Sequence, residues 1–158
     1  MDSSLSSTCR VIPGDAAWPS AAVWRAFNKT IGGRLIATVP IGAPCHQKFS
    51  NGASACTFKL AKCDDLRNVW YIPGTHLPSS SSPMTYPFSE NSCNPWLSPD
   101  TPCILGGHLV YSVNATCYTD FQKTMSFAKR RNIRRAIRNT GHDHDYLGKS
   151  TDANAPAI

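Results

Sequence analysis

The stretch that decides the fold runs from Leu109-Val110-Tyr111-Ser112-Val113, through Thr119-Asp120-Phe121-Gln122, to Arg138-Asn139-Thr140-Gly141-His142-Asp143. The first segment alternates as a strand does, and the second has the spacing of a capping box with Thr119 as the N-cap. Asn132 can end that helix, and residues 133–138 resume an extended pattern. The order strand, helix, strand, loop predicts a βαβ unit with the loop at the carboxyl end of its second strand, where ligands bind in open α/β sheets.

The predicted helix after Thr119 has one apolar face. Phe121, Met125 and Ala128 lie at helical spacing, so we expect them to face the core. The basic run 129–131 falls in the last turn, where the helix dipole favours cations.

A second helix is predicted near the N-terminus. Pro19 can start it, and Gly32-Gly33 can end it. Trp24, Phe27 and Ile31 recur at i, i+3 and i+7 and give it one apolar face. Residues 35–39 then read as a short buried strand.

The middle of the chain reads as a loop-rich extension braced by disulfides. Residues 42–102 show no sustained periodicity, and seven of the 12 prolines fall between residues 73 and 102. The chain has seven cysteines without a C-x-x-C pair, which disfavours a zinc ribbon. Disulfides suit such a weakly cored region. The pairing, and which thiol of the odd count stays free, are open.

The cysteines predict an oxidising compartment, and hence a secreted protein. Two sequons, Asn28-Lys29-Thr30 and Asn114-Ala115-Thr116, are compatible with secretion. Residues 1–10 contain no hydrophobic segment, so no signal peptide is expected in this chain. We expect no membrane partner either, because no run approaches the ~20 apolar residues that a bilayer requires.

The net charge of +6 arises from one basic segment of the chain. Between Lys123 and Arg138 there are seven basic residues and no acid. This segment suggests one function class: a non-enzymatic, secreted module that binds an acidic partner. We expect no nucleic-acid binding, because no aromatic positions for base stacking interleave with these arginines.

The polar loop after Arg138 suggests a second function class. Gly141 and Gly148 can turn backbone N–H groups toward a pyrophosphate, and Lys149 adds positive charge. The sequence His142-Asp143-His144-Asp145 admits three interpretations: an exposed polar loop, a metal site, or an imidazole nucleophile oriented by a carboxylate. Alternate residues without further ligands make a poor metal cage, so we expect no metal.

Several blocks together resemble one family. The first are Pro13-Gly14-Asp15, Trp18-Pro19-Ser20, Phe27-Asn28, Gly32-Gly33-Arg34-Leu35-Ile36 and Pro44-Cys45-His46; the later ones are Phe127-Ala128, Asn132-Ile133-Arg134, residues 138–143 and Gly148-Lys149-Ser150-Thr151. They resemble the N-terminal part of fungal FAD-linked oxidoreductases of the vanillyl-alcohol-oxidase (VAO) type, with a PCMH-type FAD domain. This group includes the berberine-bridge-like and 6-hydroxynicotine-oxidase-like enzymes.

The resemblance implies an α+β fold in two parts. Residues 1–102 would form the extension and a Pro/Ser-rich linker, and residues 103–158 would begin an incomplete FAD-binding domain of one βαβ unit plus the pyrophosphate loop. It also implies FAD as cofactor and an oxygen-dependent oxidase of an alcohol, amine or secondary metabolite. The residues it assigns to FAD are Arg138, Asn139, Thr140, Gly141, His142, Asp143, His144, Gly148, Lys149 and Ser150.

The histidine after the glycine is commonly joined to the flavin in that family. Here His144-Asp145 repeats His142-Asp143, so either His142 or His144 is the expected attachment point. Two added residues shift a tight loop by several ångströms, at ~3.3 Å per extended residue.

Two further departures concern Arg135 and the end of the chain. Arg135 is expected on one strand face with Ile133 and Ile137, where an unpaired buried guanidinium is costly. Residues 152–158 resemble nothing in the family. We therefore expect a truncated member that is inactive alone.

Overall fold

The computed structural model describes residues 9–49, 58–80, 82 and 91–138. Its helices are α1 (Ala21–Thr30), α2 (Leu60–Val69), the one-turn α3 (Pro73–His76) and α4 (Tyr118–Arg130). The two strands, β1 (Leu35–Ala37) and β2 (Tyr111–Val113), form an antiparallel sheet, and a 3₁₀ turn covers Ala43–Cys45. In the described ranges no helix is both long and apolar enough to cross a membrane.

Helix α1 confirms the prediction made from its sequence. It begins at Ala21, two residues after Pro19, and it ends before Gly32 and Gly33, which both adopt positive φ. Glycine tolerates that conformation without the Cβ penalty of other residues. The predicted apolar face is correct, because Trp24, Phe27 and Ile31 are all buried.

Strand β1 differs from the prediction in burial. It spans Leu35–Ala37, and neither Ile36 nor Ala37 is buried. Leu35 pairs with Val113 and Ala37 with Tyr111, so β1 pairs with a strand more than 70 residues away in sequence. Among the described residues the strand pairs with β2 alone, and Leu35 packs against the core, so the expectation of a buried strand was wrong.

The first core joins the two ends of the described chain. Trp24 and Phe27 of α1 pack against Phe127 of α4, with Phe27 and Phe127 stacked at a centroid distance of 4.0 Å. Trp24 also lies 4.4 Å, centroid to centroid, from Tyr111 of β2. Helix and sheet from the two predicted parts thus share one hydrophobic core. The boundary between residues 102 and 103 stays a prediction.

Helix α4 starts earlier than expected, and its buried face matches the predicted one only in part: Ala128 is fully buried and Met125 is half-buried, but Phe121 is exposed. Its N-cap is Cys117, not Thr119, and no side-chain capping bond is formed there. Phe121 is 41% exposed, whereas Phe127 is 7% exposed and Thr124 is also buried. The predicted capping box with Gln122 and the predicted inward position of Phe121 were therefore wrong.

The predicted second strand of the βαβ unit is reduced to one bridge. Ile133 forms an isolated parallel bridge with Val11, and residues 134–138 form no strand. Ile133 is fully buried, but Ile137 is exposed and Arg135 is half-buried. The anticipated cost of a buried arginine therefore does not arise. What the structure shows is an α+β arrangement around a two-stranded sheet.

Two disulfides brace the middle of the chain, as predicted. Cys45 pairs with Cys63 and fastens the 3₁₀ turn to α2, while Cys93 pairs with Cys103. Both lie at or near a second, smaller core that contains Phe49. This region also contains α2 and α3, which the absence of periodicity did not predict.

Gly42 is the tightest point of the second core. A Cβ there would overlap the carbonyl oxygen of Cys93, so only glycine fits. The close approach brings the 3₁₀ turn against the second disulfide. Glycine is needed at this position because the neighbouring backbone leaves no space for a side chain, a long-range contact that the sequence does not display.

Candidate functional site

The described part of the chain reaches the predicted FAD loop at its first residue. Arg138 is described, and nine predicted residues lie outside the described ranges: Asn139, Thr140, Gly141, His142, Asp143, His144, Gly148, Lys149 and Ser150. The structure does define the end of α4 and the contacts of residues 132–138, which lead to this predicted loop.

The end of α4 fixes where the segment toward the loop begins. Asn132 has a φ of 53°, in the left-handed region, and thereby ends the helix. The Val11 N–H donates to the Asn132 carbonyl at 2.9 Å, and the Arg134 N–H donates to the Val11 carbonyl at 3.3 Å. Ile133, between them, is fully buried. The chain is therefore anchored by both backbone and side chain immediately before it leads toward Arg138.

The Asn132 side chain adds a second tie to the N-terminal segment. Its carboxamide Nδ2 donates to the Cys9 carbonyl at 2.8 Å, and its Oδ1 accepts from Arg10 Nη1 at 2.7 Å. The sequence showed Asn132 only as a helix end. Its contacts span 122 and 123 positions in sequence, so no local signal marks them.

Arg138 is exposed but engaged. Its Nη1 donates to the carbonyl oxygen of Ser79, and its Nη2 donates to the carbonyl oxygen of Leu77 at 3.2 Å. The guanidinium therefore fastens the start of the predicted loop to the segment after α3. Since an arginine carries five N–H donors, these two bonds leave further donors for an anion.

Of the other six basic residues of segment 123–138, Arg134 and Arg135 are half-buried, and the remaining four fall into two groups. Lys129, Arg130 and Arg131 are exposed at the end of α4, where the helix dipole favours cations. Lys123 instead donates from Nζ to the carbonyl oxygen of Thr30 at 2.8 Å, bridging α4 to α1. Lys123 and Arg138 thus both hold the fold together. The acidic-partner interpretation of this segment stays a prediction.

A buried carboxylate organises the start of α4. Asp120 Oδ1 lies 2.8 Å from Nη1 of Arg34, the residue before β1. Asp120 Oδ2 accepts from both the N–H and the hydroxyl of Thr116, each at 3.2 Å. Asp120 therefore ties the residue before the N-cap, and Arg34 before β1, to the first turn of α4.

The pKa of Asp120 reflects these contacts. Burial alone raises the pKa of this carboxyl, but the hydrogen bonds from Thr116 and Cys117 and the positive charge of Arg34 outweigh burial. The pKa of Asp120 therefore lies below its ordinary value, and the group is ionised at neutral pH. The ion pair joins the start of α4 to β1.

Two buried histidines, His46 and His76, form hydrogen bonds with backbone carbonyl oxygens and with one serine hydroxyl. The ring nitrogens of His46 lie 2.8 Å and 3.1 Å from the carbonyl oxygens of Thr101 and Asn94. In His76, Nε2 lies 2.6 Å from the Trp70 carbonyl and Nδ1 lies 2.6 Å from the Ser82 hydroxyl. The His46 contacts join the residue after the 3₁₀ turn to the segment 94–101, and the His76 contacts join α3 to the end of α2 and to Ser82. Among the residues that the structure describes, no group of three His, Cys, Asp or Glu side chains could hold a metal ion.

An open groove of about 530 Å³ lies between α2 and the 3₁₀ turn. It is lined mainly by apolar atoms, with the charged residues Lys62 and Asp65 among its walls. An open groove does not enclose a ligand, whereas small-molecule sites bury most of the ligand surface. The groove is therefore a surface feature and not a flavin pocket.

Comparison with known proteins agrees with this scaffold. No protein-family model matches the chain. Over 95% of its length, however, the chain superimposes on the crystal structure of VAO-type flavoprotein MtVAO615 from Myceliophthora thermophila C1, with a TM-score of 0.82 and 41% identity. The chain is a homologue of VAO-type flavoproteins.

Curated relatives of the VAO type extend the match. The chain is 47% identical over 151 residues to the FAD-linked oxidoreductase sor8 of Hypocrea jecorina, and 44% identical over 154 residues to the FAD-linked oxidoreductase patO of Penicillium expansum. These alignments cover 96% and 98% of this chain. The chain spans about a quarter of the length of each relative, as it does of MtVAO615. The predicted resemblance to fungal VAO-type oxidoreductases is thus confirmed.

Proposed function

We propose that this chain forms the N-terminal part of an FAD-dependent oxidoreductase and supplies the first half of its pyrophosphate site. The observation that carries the proposal is the match to a solved VAO-type flavoprotein over 95% of the chain. The curated relatives named as FAD-linked oxidoreductases support the same cofactor.

The described residues fit an anionic cofactor. Segment 123–138 carries seven cations and no acid, and three of those cations are exposed at the end of α4. Arg138 retains donors beyond the two that bind carbonyl oxygens. A pyrophosphate placed next to this segment would meet positive charge and N–H donors, which is the chemistry it requires.

In this proposal, the residues of the loop after Arg138 have different roles. Gly141 and Gly148 allow backbone N–H groups to approach the pyrophosphate, with Lys149 and Ser150 beside them. Either His142 or His144 forms the covalent bond to the flavin ring, and Asp143 orients the imidazole. FAD, when bound, accepts a hydride from the substrate and passes the electrons to oxygen.

The substrate class in the proposal is a small alcohol, amine or secondary metabolite. The chain alone is expected to lack oxidase activity, because the groove between α2 and the 3₁₀ turn is open and could not surround a flavin ring. Extracellular localisation belongs to the same proposal, and the two disulfides support it.

The first test is the intact mass, under denaturing conditions, of the protein isolated from its source. We expect a mass that includes one covalently bound FAD. A mass equal to that of the bare chain, without flavin absorbance or fluorescence, would contradict the covalent proposal.

The second test examines the chain itself. The full chain, produced in an oxidising compartment, is titrated into FAD while flavin fluorescence is recorded. Replacing Arg138 by Ala should weaken binding, whereas Arg131→Ala, an exposed cation on the same segment, serves as the matched control. Comparable effects of the two substitutions would mean that only diffuse charge attracts the cofactor. The variants His142→Ala and His144→Ala then identify the attachment point, because the variant that lacks the linked histidine should lose its flavin absorbance after denaturation.

A further inference from the structure

The chain contains two Asn-X-Thr sequons, at Asn28 and at Asn114, which are equivalent as sequence motifs. Such motifs accept N-linked glycans on the surface loops of secreted proteins. The asparagine carboxamide and the threonine hydroxyl must both be accessible, and the attached sugar must remain in solvent. The structure places the two motifs in contrasting environments.

Asn28 is an unsuitable acceptor in the folded chain. It lies within α1 and is half-buried. Its side-chain Oδ1 accepts the N–H of Leu35 at 2.9 Å, a bond that fixes the start of β1 against α1. The hydroxyl of Thr30, the third residue of the motif, donates to the carbonyl oxygen of Phe27 at 2.7 Å. The asparagine side chain of this sequon is therefore half-buried in the helix and committed to the start of the sheet.

Asn114 meets the structural requirements. It is the first residue after β2, and Asn114, Ala115 and Thr116 are all exposed. Its backbone N–H donates to the carbonyl oxygen of Arg34 at 3.1 Å, which fixes the turn without using the side chain. Across the described ranges, the carboxamide of Asn114 forms no hydrogen bond. The Thr116 hydroxyl donates to Asp120, just as the Thr30 hydroxyl donates to Phe27, so the two sequons differ in the asparagine side chain and not in the threonine.

We propose that Asn114 carries an N-linked glycan and that Asn28 does not. In the transfer, Nδ2 of Asn114 forms a bond to C1 of the terminal N-acetylglucosamine of a lipid-linked oligosaccharide. The bond between C1 and the diphosphate oxygen breaks, the lipid diphosphate leaves, and Nδ2 loses one proton. No oxidant or reductant is involved. The proposal requires only passage through the secretory pathway and is independent of flavin binding.

The experiment follows occupancy site by site. The full chain is expressed in yeast behind a cleavable secretory leader, with a C-terminal tag that carries an efficient sequon on a flexible linker. Molecules glycosylated on the tag have entered the secretory pathway, so only these are collected. Peptide N-glycosidase in ¹⁸O water then converts each glycosylated asparagine to a heavy-labelled aspartate, which peptide mass mapping after reduction and digestion locates.

We expect most collected molecules to carry the label at Asn114 and few to carry it at Asn28. The variant Asn114→Gln should lose this label without a shift in thermal unfolding of the deglycosylated chain. Thr116→Ser should retain it, and Asn28→Gln should leave occupancy at Asn114 unchanged. These matched variants separate the loss of an acceptor from the loss of the fold.

An unmodified Asn114 in molecules whose tag is glycosylated would overturn the proposal, as would equal occupancy of both sites. Neither result bears on the flavin proposal, because the glycan is read by mass labelling and the flavin by absorbance. A chain that carries the glycan but no flavin would contradict only the proposed function.

Discussion

Replacing Phe127 by Ala should destabilise the chain far more than replacing Phe121 by Ala, although both lie on α4. Phe127 is 7% exposed, stacks on Phe27 at 4.0 Å and lies 5.2 Å from Trp24, centroid to centroid. Burying a phenylalanine side chain contributes about 1.5–3 kcal/mol, and an aromatic pair adds about 0.5–1.5 kcal/mol. With the cavity left behind, the loss at Phe127 should be about 4 kcal/mol.

Phe121 is the matched control, because its ring is already 41% exposed. Its replacement by Ala should cost about 1 kcal/mol, since only part of the buried apolar area is lost. The assay is equilibrium unfolding in urea under non-reducing conditions, with the free energy extrapolated to water. If Phe127→Ala prevents folding, Phe127→Leu supplies a milder step of about 1.5 kcal/mol or less.

Equal losses at the two positions, or a larger loss at Phe121, would refute the assignment of the buried face. That outcome would restore the face predicted from sequence spacing. Because both substitutions remove a phenyl ring from the same helix, changes in helix propensity cancel in the comparison.

Three further predictions follow from single contacts. Replacing Cys45 and Cys63 by Ala together should lower the unfolding free energy by about 3 kcal/mol, since the bridge closes a separation of 18 residues; an unchanged urea midpoint would contradict this. Gly42→Ala should cost about 1–3 kcal/mol, because the new Cβ overlaps a backbone carbonyl oxygen, and a thermal melt equal to wild type would disprove the close approach. Because the pKa of Asp120 is lowered, its carboxylate stabilises the fold fully at pH values above the ordinary pKa of 3.8, and this contribution is lost as the pH falls through the lowered pKa. In Asp120→Asn the unfolding free energy should therefore fall less steeply with decreasing pH than in the wild type.

Local sequence signals predicted elements whose cause is local. Helix α1 has a proline before it, glycines after it and an apolar face at helical spacing, and all three features are present in the structure. Asn132 likewise ends α4, because asparagine tolerates positive φ. Disulfide bracing was predictable from cysteine number and low periodicity, although the partners were not.

The cofactor site stays a prediction made from a sequence motif. Arg138 was chosen as a cation for the cofactor loop, and the structure adds that it binds the carbonyl oxygens of Leu77 and Ser79. Carbonyl acceptors some 60 positions away leave no pattern in the sequence. The same holds for Arg34, whose pairing with Asp120 could not be read from either residue alone.

The sequence by itself determined the resemblance to VAO-type oxidoreductases, the position and ends of α1, and the basic segment that leads to the predicted cofactor loop, because each depends on residues adjacent in the chain. Tertiary structure alone decided the pairing of β1 with β2, the inward face of α4 and the ion pair of Asp120 with Arg34 at the start of that helix. Each of these depends on which distant surface an element packs against. Phe127 is buried, and Phe121 is not, because α1 presents Trp24 and Phe27 to one side of α4.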